Sequence, residues 1–166
     1  MGKHPELELV AMNPVVVFGL ILGYESGTAI GSSLGIIKRM MTGEILAAPL
    51  VSFGCVDVRD VAILHALALD LPETKGKRFL VVAGKGEFIT GHDVGAELGH
   101  PIHVMPDWLA RFLGLFLDDL WVLKYDISVT RTVSTKRVQE TFDFEMRTWQ
   151  EAVKARADSL RQFGIV

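Results

Sequence analysis

The sequence predicts an α/β fold that continues into a mostly helical C-terminal part. Apolar, β-branched runs typical of buried strands alternate with segments of helical periodicity. The resulting order of strand, helix, strand, helix, strand is typical of proteins built on a parallel sheet. From about residue 87 onward the strand pattern gives way to helical segments. With 166 residues, the chain is long enough to bury one substantial core.

The first elements follow from one apolar run and one amphipathic segment. The stretch "LELVAMNPVVVFG" predicts a strand from about Leu7 to Phe18, followed by the glycine-rich loop "GYESG". A helix is predicted over Thr28 to Met41, where Lys38 and Arg39 suit the negative C-terminal end of the helix dipole. "PLVSFGCV" is the next strand candidate.

A second helix is predicted from Asp57 to Leu69. Asp57 is a favourable N-cap, and Asp60 three residues later resembles a capping-box partner. The helix is apolar on nearly every side, so it is expected to lie buried between two layers. After the turn "LPETKGK", the run "RFLVVAG" predicts a short strand over 78–82.

The last third has other signals. "EFITGHDVGAELG" predicts a short helix at most, and "HPIHVMP" an extended segment. "DWLARFLGLFLDDLW" predicts a helix with Asp107 as N-cap and a wide apolar stripe. Ser134 is the predicted cap of "TKRVQETF", and Thr148 with Glu151 forms a capping box for the final helix, which ends before Gly164.

Composition excludes several classes of protein. Apolar residues make up 49% of the chain and the mean hydropathy is +0.33, which indicates an unusually well-buried core or apolar surface meant for another molecule. The net charge is −3 without a basic stripe, which argues against nucleic-acid binding. The longest apolar run, Val15 to Gly23, is too short to cross a bilayer, and no secretion signal is recognisable, so a cytoplasmic protein is expected.

No cofactor or metal motif stands out from the residues themselves. The glycines of "GKGEFITG" have the wrong spacing for a phosphate-binding loop, and "TKGKRF" lacks the preceding glycine of a Walker A loop. His100 and His103 lie close together, with His65 and His92 elsewhere. Because a metal site needs three or four converging ligands, ordinary loop histidines are the favoured interpretation, and no metal is predicted.

Three further candidates have structural interpretations that we favour. Cys55 lies in an apolar strand without a paired base, so a buried, inert thiol is favoured over a nucleophile. Asp57 and Asp60 form either a carboxylate pair for acid–base chemistry or a helix start, and their spacing favours capping. The apolar stripe from Trp108 to Trp121 is more often core than a membrane or cofactor contact.

Four segments carry a specific resemblance. In order, they are "ELVAMNPVVVFG", "IIKRMMTGE", "FGCVDVRDVAILHALAL" and "GKRFLVVAG". Together they resemble the second half of an extended short-chain dehydrogenase/reductase, in the branch of the dihydroflavonol-4-reductase-like reductases and NAD-dependent epimerases. The resemblance covers about residues 6–86, and the closing "EAVKARADSLRQFGIV" is similar to the family's terminal helix.

The resemblance implies a single α/β unit over residues 1–166, with the late parallel strands of a Rossmann-type fold and a helical substrate lobe. Residues 7–19 and 50–83 would belong to the Rossmann sheet and its helix, and residues 20–49 and 87–166 to the substrate lobe. Residues 7–12 would form a late strand, and residues 13–19 the loop at its carboxyl end, where ligands bind in such sheets. The N-terminal nucleotide-binding half of the family would be absent from these residues.

The same resemblance bears on catalysis. Members reduce ketones or aldehydes with NADP or NAD, using a tyrosine and a lysine four residues later. Here Tyr24 is followed at that distance by Thr28, and Tyr125 by Val129, so no catalytic residue is assigned.

The family's cofactor contacts map onto Pro14, Val15, Val16 and Val17, which would touch the nicotinamide end mainly through backbone atoms. The alternative is that these residues simply end a strand.

This chain departs from the family pattern at three places. Leu20 replaces a proline, Ala29 stands where a hydroxyl residue is frequent (with Ser26 or Thr28 nearby), and "TFDFEMRTW" replaces the usual "LGW.P" motif.

The function that the resemblance implies is the substrate-side half of an NAD(P)H-dependent oxidoreductase, expected to be inactive as an isolated chain because the catalytic tyrosine–lysine pair is missing. The alternative is a non-catalytic binding or self-association module. Expected partners are a small carbonyl substrate and either a second copy or a complementing N-terminal half, without nucleic acid or membrane.

Overall fold

The computed structural model describes residues 8–23, 32–116 and 125–166. The described strands are β1 (Ala11–Pro14), β2 (Val16–Phe18), β3 (Ala47–Pro49), β4 (Ser52–Asp57), β5 (Arg78–Val81), β6 (Phe88–Thr90) and β7 (His103–Met105). The described helices are α1 (Ser32–Met41), α2 (Val58–Asp70), α3 (Gly91–Glu97), α4 (Asp107–Leu113), α5 (Lys136–Phe142) and α6 (Trp149–Gln162).

In the main sheet, the consecutive strands β1 and β2 each form a parallel pair with another strand. β1 pairs in parallel with β5, and β2 pairs in parallel with β4, while β6 adds to β4 in the antiparallel direction. β3 and β7 form a separate parallel pair. Parallel strands joined through helices confirm the predicted α/β class.

The first predicted strand is divided in the structure. Between β1 and β2, the Val15 N–H donates to the carbonyl of Val81 at 3.3 Å, and the chain then changes its partner strand from β5 to β4. The expectation of a loop over 13–19 is wrong, because the chain stays extended through Phe18 and turns only at Gly19. The predicted start at Leu7 lies outside the described residues.

Two apolar cores cover the two faces of the sheet. The first contains Phe18 and Cys55 of the sheet with side chains of α1, α3 and α6. The second contains Val56 of the sheet with side chains of α2 and α5, and in it the rings of Phe79 and Phe142 meet edge-on at 4.8 Å. Since Cys55 and Val56 are neighbours on β4, their alternation directs one side chain into each core. Helices therefore lie on both faces of the sheet.

Helix α2 starts where the sequence predicts but is not enclosed. Asp57 is its N-cap, as expected. The prediction that the helix is buried on nearly every side is wrong, since Leu69 is 88% exposed and His65 is also exposed. The reason is that α2 packs against β1, β4 and α5 with one face, and nothing in the described ranges covers the opposite face.

Helix caps in the last third are partly as predicted. The Thr148–Glu151 capping box is confirmed. Asp107 is not an N-cap, because Pro106 holds that position and the Asp107 carboxylate accepts a hydrogen bond from Ser128. Ser134 lies one residue before the N-cap of α5, and its hydroxyl accepts the N–H of Lys136 at 3.3 Å.

Other predicted boundaries shift. Residues 47–49 form the separate strand β3 ahead of β4, and "EFITGHDVGAELG" divides into strand β6 and helix α3. Helix α1 is described from Ser32, so the predicted start at Thr28 lies outside the described ranges. The apolar stripe of α4 is substantially exposed at Trp108 and Phe112, rather than core, and residues 117–124 are not described. Among the described helices, none has the length and apolar character that a bilayer crossing requires.

Candidate cofactor-binding site

Three of the four side chains in the segment Pro14–Val17 pack against the apolar cores. Val15 and Val17 pack on the second core, Val16 packs on the first, and Pro14 is exposed at the end of β1. Val16 lies opposite Cys55 and Val17 opposite Val56 in the β2–β4 ladder. The chemical groups that this segment can offer to another molecule are therefore backbone atoms and the exposed ring of Pro14.

Just after this segment, the carboxyl ends of β2 and β4 come together. Phe18 pairs with Asp57, and Gly19 has a left-handed φ of +105°. A Cβ atom at Gly19 would lie 2.9 Å from Asp57 Oδ1 and 3.1 Å from the backbone nitrogen of Val58. The glycine therefore permits both the turn and the close approach of the loop to the start of α2.

Asp57 is held as a charged cap. Its fully buried carboxylate accepts the backbone N–H of Arg59 at 2.8 Å and the guanidinium of Arg59 at 2.9 and 2.6 Å. Burial acts to raise the pKa of Asp57, but the hydrogen bonds and charge of Arg59 outweigh it and hold the pKa below its usual value. A carboxylate so engaged is not available as a general acid or base at neutral pH.

The expectation that Asp60 is a capping-box partner is wrong. Its side chain does not complete a capping box with Asp57. Its fully buried carboxylate accepts the backbone N–H of Arg147 at 2.8 Å and forms an ion pair with the Arg147 guanidinium, 87 positions along the chain. Burial raises the pKa of Asp60, and the bonds from Arg147 offset this only in part. Each aspartate therefore binds its own arginine, which argues against a pair that shares a proton.

Helix α6 reaches the same loop with two polar side chains. Nη2 of Arg156 donates to the carbonyl of Val17 at 3.4 Å, and the Ser159 hydroxyl accepts the N–H of Ile21 at 3.1 Å. Leu20, where the family has a proline, lies half-buried between these contacts. Ala29, Ser26 and Thr28 lie outside the described residues.

Cys55 and the histidines are the remaining candidates. Cys55 is fully buried, and burial, together with the charges of Asp57 and Glu87, raises the pKa of its thiol to about 12. Nε2 of His92 lies 3.3 Å from the carbonyl oxygen of His103. The described ranges contain no group of three or more His, Cys, Asp and Glu side chains placed to hold a metal ion.

The second glycine of "GKG", Gly86, is explained by packing. A Cβ atom at Gly86 would lie 2.2 Å from the carbonyl oxygen of Val133, so two backbone segments cross there. The close approach of the two backbones is enough to require glycine at this position, so a phosphate-binding role is not needed to explain it.

Sequence reasoning did not find four of the residues around this site: Arg59, Arg147, Arg156 and Ser159. Asp57 and Arg59 are two positions apart, which gives a local signal for their ion pair. The contacts of Arg147, Arg156 and Ser159 span most of the chain, and no spacing rule connects such distant positions.

Comparisons with known proteins agree with this architecture. A ketoreductase of Aspergillus niger is 43% identical over 87 residues, a match that covers 50% of this chain and 26% of that protein. The crystal structure of the yeast methylglyoxal/isovaleraldehyde reductase complexed with NADPH superimposes with a TM-score of 0.60 at 25% identity, over 96% of this chain and 45% of that one. The chain resembles the C-terminal half of an extended short-chain dehydrogenase/reductase.

A third comparison supports the fold alone. A nucleoside-diphosphate-sugar epimerase from Pseudomonas aeruginosa superimposes with a TM-score of 0.70 at 18% identity, over 95% of this chain and 49% of that one. No protein-family model matches the chain. The chain spans about half the length of the structures that it matches, and about a quarter of the ketoreductase lies within the matched region. The predicted α/β class and family resemblance are thus confirmed.

Proposed function

We propose that this chain is the substrate-side part of an NAD(P)H-dependent reductase of ketones or aldehydes, acting in the cytoplasm. In this proposal, the backbone of Pro14–Val17 borders the nicotinamide end of the cofactor. Residues 20–49 and 87–166 form the substrate lobe. The observation that carries the proposal is the 43% identity to a ketoreductase, on a chain whose fold superimposes on an NADPH-complexed reductase.

The position of the segment supports this assignment. It ends at the carboxyl ends of β2 and β4, which is where open α/β sheets bind their ligands. With the side chains of Val15, Val16 and Val17 packed on the two cores, the backbone of the segment is fixed before any ligand arrives, and a rigid edge of this kind suits a planar ring.

We further propose that the 166-residue chain needs a nucleotide-binding half to act. Neither tyrosine in its sequence is followed four residues later by a lysine, so it lacks the family's proton donor. Loss of a positioned proton donor costs orders of magnitude in rate. We therefore expect no measurable carbonyl reduction by the isolated chain.

The surface beside β1 suits such a second half. In the described part of the chain, β1 pairs on one edge only, with β5. Next to it lies a largely apolar groove of about 280 Å³, whose lining includes Leu9, Met12 and Leu69. Leu9 is 63% exposed. Exposed apolar side chains beside an unpaired strand edge favour coverage by another polypeptide.

Complementation tests this proposal directly. The chain is mixed with the nucleotide-binding half of the yeast reductase, and NADPH consumption is followed with methylglyoxal as the probe carbonyl. We expect consumption only when both halves are present. The Leu69→Lys variant is expected to weaken it. Leu50→Lys serves as the matched control, because Leu50 is 40% exposed and lies outside both the groove and the residues assigned to the substrate lobe. Reduction by the isolated chain would contradict the proposal.

The exposed apolar surface also favours a second candidate, a non-catalytic module that associates with itself. In that case the groove beside β1 is covered by another copy. Sedimentation velocity over a concentration range distinguishes the two. Association that Leu69→Lys abolishes and Leu50→Lys preserves, without activity in the complementation assay, would support the self-association module.

A further inference from the structure

Two side chains on one face of α6 contact the backbone on both sides of the turn that follows β2. Arg156 donates to the carbonyl of Val17, and Ser159, three residues later on the helix, accepts the N–H of Ile21. Residues three apart on a helix lie on the same face. The turn at Gly19 lies between these two contacts, pressed against Asp57.

An arginine at position 156 is energetically unfavourable for packing, because its polar side chain is partly buried in an apolar surrounding. The neighbouring positions of α6 that face the core carry buried apolar side chains, including Val153, Ala157 and Leu160. Nε of Arg156 is buried and has no hydrogen-bond partner within the described ranges. Burial lowers the pKa of this guanidinium, with the charge of Asp57 acting in the opposite direction. An apolar side chain would pack there without leaving a buried donor unpaired.

Ser159 is likewise a polar side chain at a buried position of α6. It is 6% exposed, and its hydroxyl pairs with the amide of Ile21, which lies outside any strand or helix. A loop amide that is partly shielded from water needs a partner, and the helix provides one from a position 138 residues away in sequence. Together the two side chains fix a backbone carbonyl before the turn and a backbone amide after it.

We propose that Arg156 and Ser159 are positioning residues for the candidate cofactor segment. They set the path of the backbone over 17–21 and so the edge that it presents to a ligand. This inference rests on the proposed function only for the identity of that ligand. The positioning itself is a property of the free chain, and α6 is thereby a support of the site and not only a packing element.

Amide hydrogen exchange on the full chain, followed by NMR, tests the positioning without any nucleotide. In Ser159→Ala we expect the Ile21 amide to exchange about fivefold faster, the effect of losing a hydrogen bond of ordinary strength, while amides of β4 and α6 keep their rates. Ser159→Thr retains the hydroxyl and is expected to restore the rate. Arg156→Met is expected to shift the carbonyl ¹³C resonance of Val17, and Arg156→Lys to reverse part of that shift.

Arg161→Met is the matched control. Arg161 lies on the same helix, is exposed, and pairs with Asp158 at 3.0 Å. We expect Arg161→Met to leave the exchange rate of the Ile21 amide and the carbonyl ¹³C resonance of Val17 unchanged. The proposal is overturned if Ile21 exchanges at the wild-type rate in Ser159→Ala, or if it accelerates by the same factor as the β4 amides, which would indicate global destabilisation. Since no cofactor is used, a failure here leaves the complementation result standing, and the reverse also holds.

Discussion

Replacing Asp57 by alanine removes two stabilising interactions at the start of α2. The N-cap bond to the Arg59 N–H is worth about 1 kcal/mol, within a range of roughly 0.5–2 kcal/mol. The hydrogen bonds from the Arg59 guanidinium are charge-assisted, and such bonds contribute about 1.5–3 kcal/mol. This second contribution is discounted because the Arg59 side chain is 35% exposed and is hydrated once its partner is gone. We expect a loss of about 2–3 kcal/mol in the free energy of unfolding.

Asp57→Asn separates the two interactions. Asparagine caps a helix about as well as aspartate, so the bond to the Arg59 amide is retained while the charge is lost. We expect a loss of about 1 kcal/mol for this variant. The difference between Asp57→Ala and Asp57→Asn then measures the cap.

Equilibrium urea unfolding gives both values. Asp158→Asn is the control, because Asp158 forms an ion pair with Arg161 in which both side chains are exposed. Exposed pairs contribute little, so we expect less than about 0.5 kcal/mol. If Asp57→Ala costs no more than this control, or if Asp57→Asn costs as much as Asp57→Ala, the account of the α2 start is wrong.

Three other predictions follow from the same contacts. The pKa of Asp57 lies below its unfolded value of about 3.9, so its carboxylate stabilises the fold above that pH and the contribution is lost as the pH falls through the folded pKa. Asp57→Asn should therefore lose less stability than wild type when urea unfolding is repeated between about pH 4 and pH 2. Gly19→Ala places a Cβ 2.9 Å from Asp57 Oδ1 at φ +105° and should cost about 1–3 kcal/mol in the same assay; a neutral result would contradict the turn geometry. Cys55, with a pKa of about 12 and no exposed surface, should react with a thiol reagent only in proportion to urea-induced unfolding, so rapid labelling of the native chain would refute its burial.

The sequence predicted elements whose signals are local. Asp57 as a cap, the Thr148–Glu151 capping box and the strand at Arg78–Val81 each depend on residues within a few positions of one another. The α/β class followed from the alternation of such elements. The family resemblance placed the candidate segment at Pro14–Val17, a role that stays a prediction.

What the sequence did not predict depends on distant partners. Asp60 has the spacing of a capping residue, but a buried carboxylate takes the strongest donor within reach, and Arg147 is brought to it only by the fold. Leu69 belongs to an apolar helix, yet it is exposed because no described element packs over that face of α2. Arg156 gives no sequence signal, since its partner is a backbone carbonyl across the core.

The most direct test of the account is the affinity for NADPH, measured by its fluorescence in the isolated chain and in the chain mixed with a nucleotide-binding half. In the proposed function, the cofactor site is divided between the backbone edge at Pro14–Val17 and a phosphate-binding half that these residues do not contain. This division predicts saturable binding by the mixture that exceeds binding by the added half alone, and none by the isolated chain. Saturable binding of NADPH by the isolated chain as a monomer would contradict it.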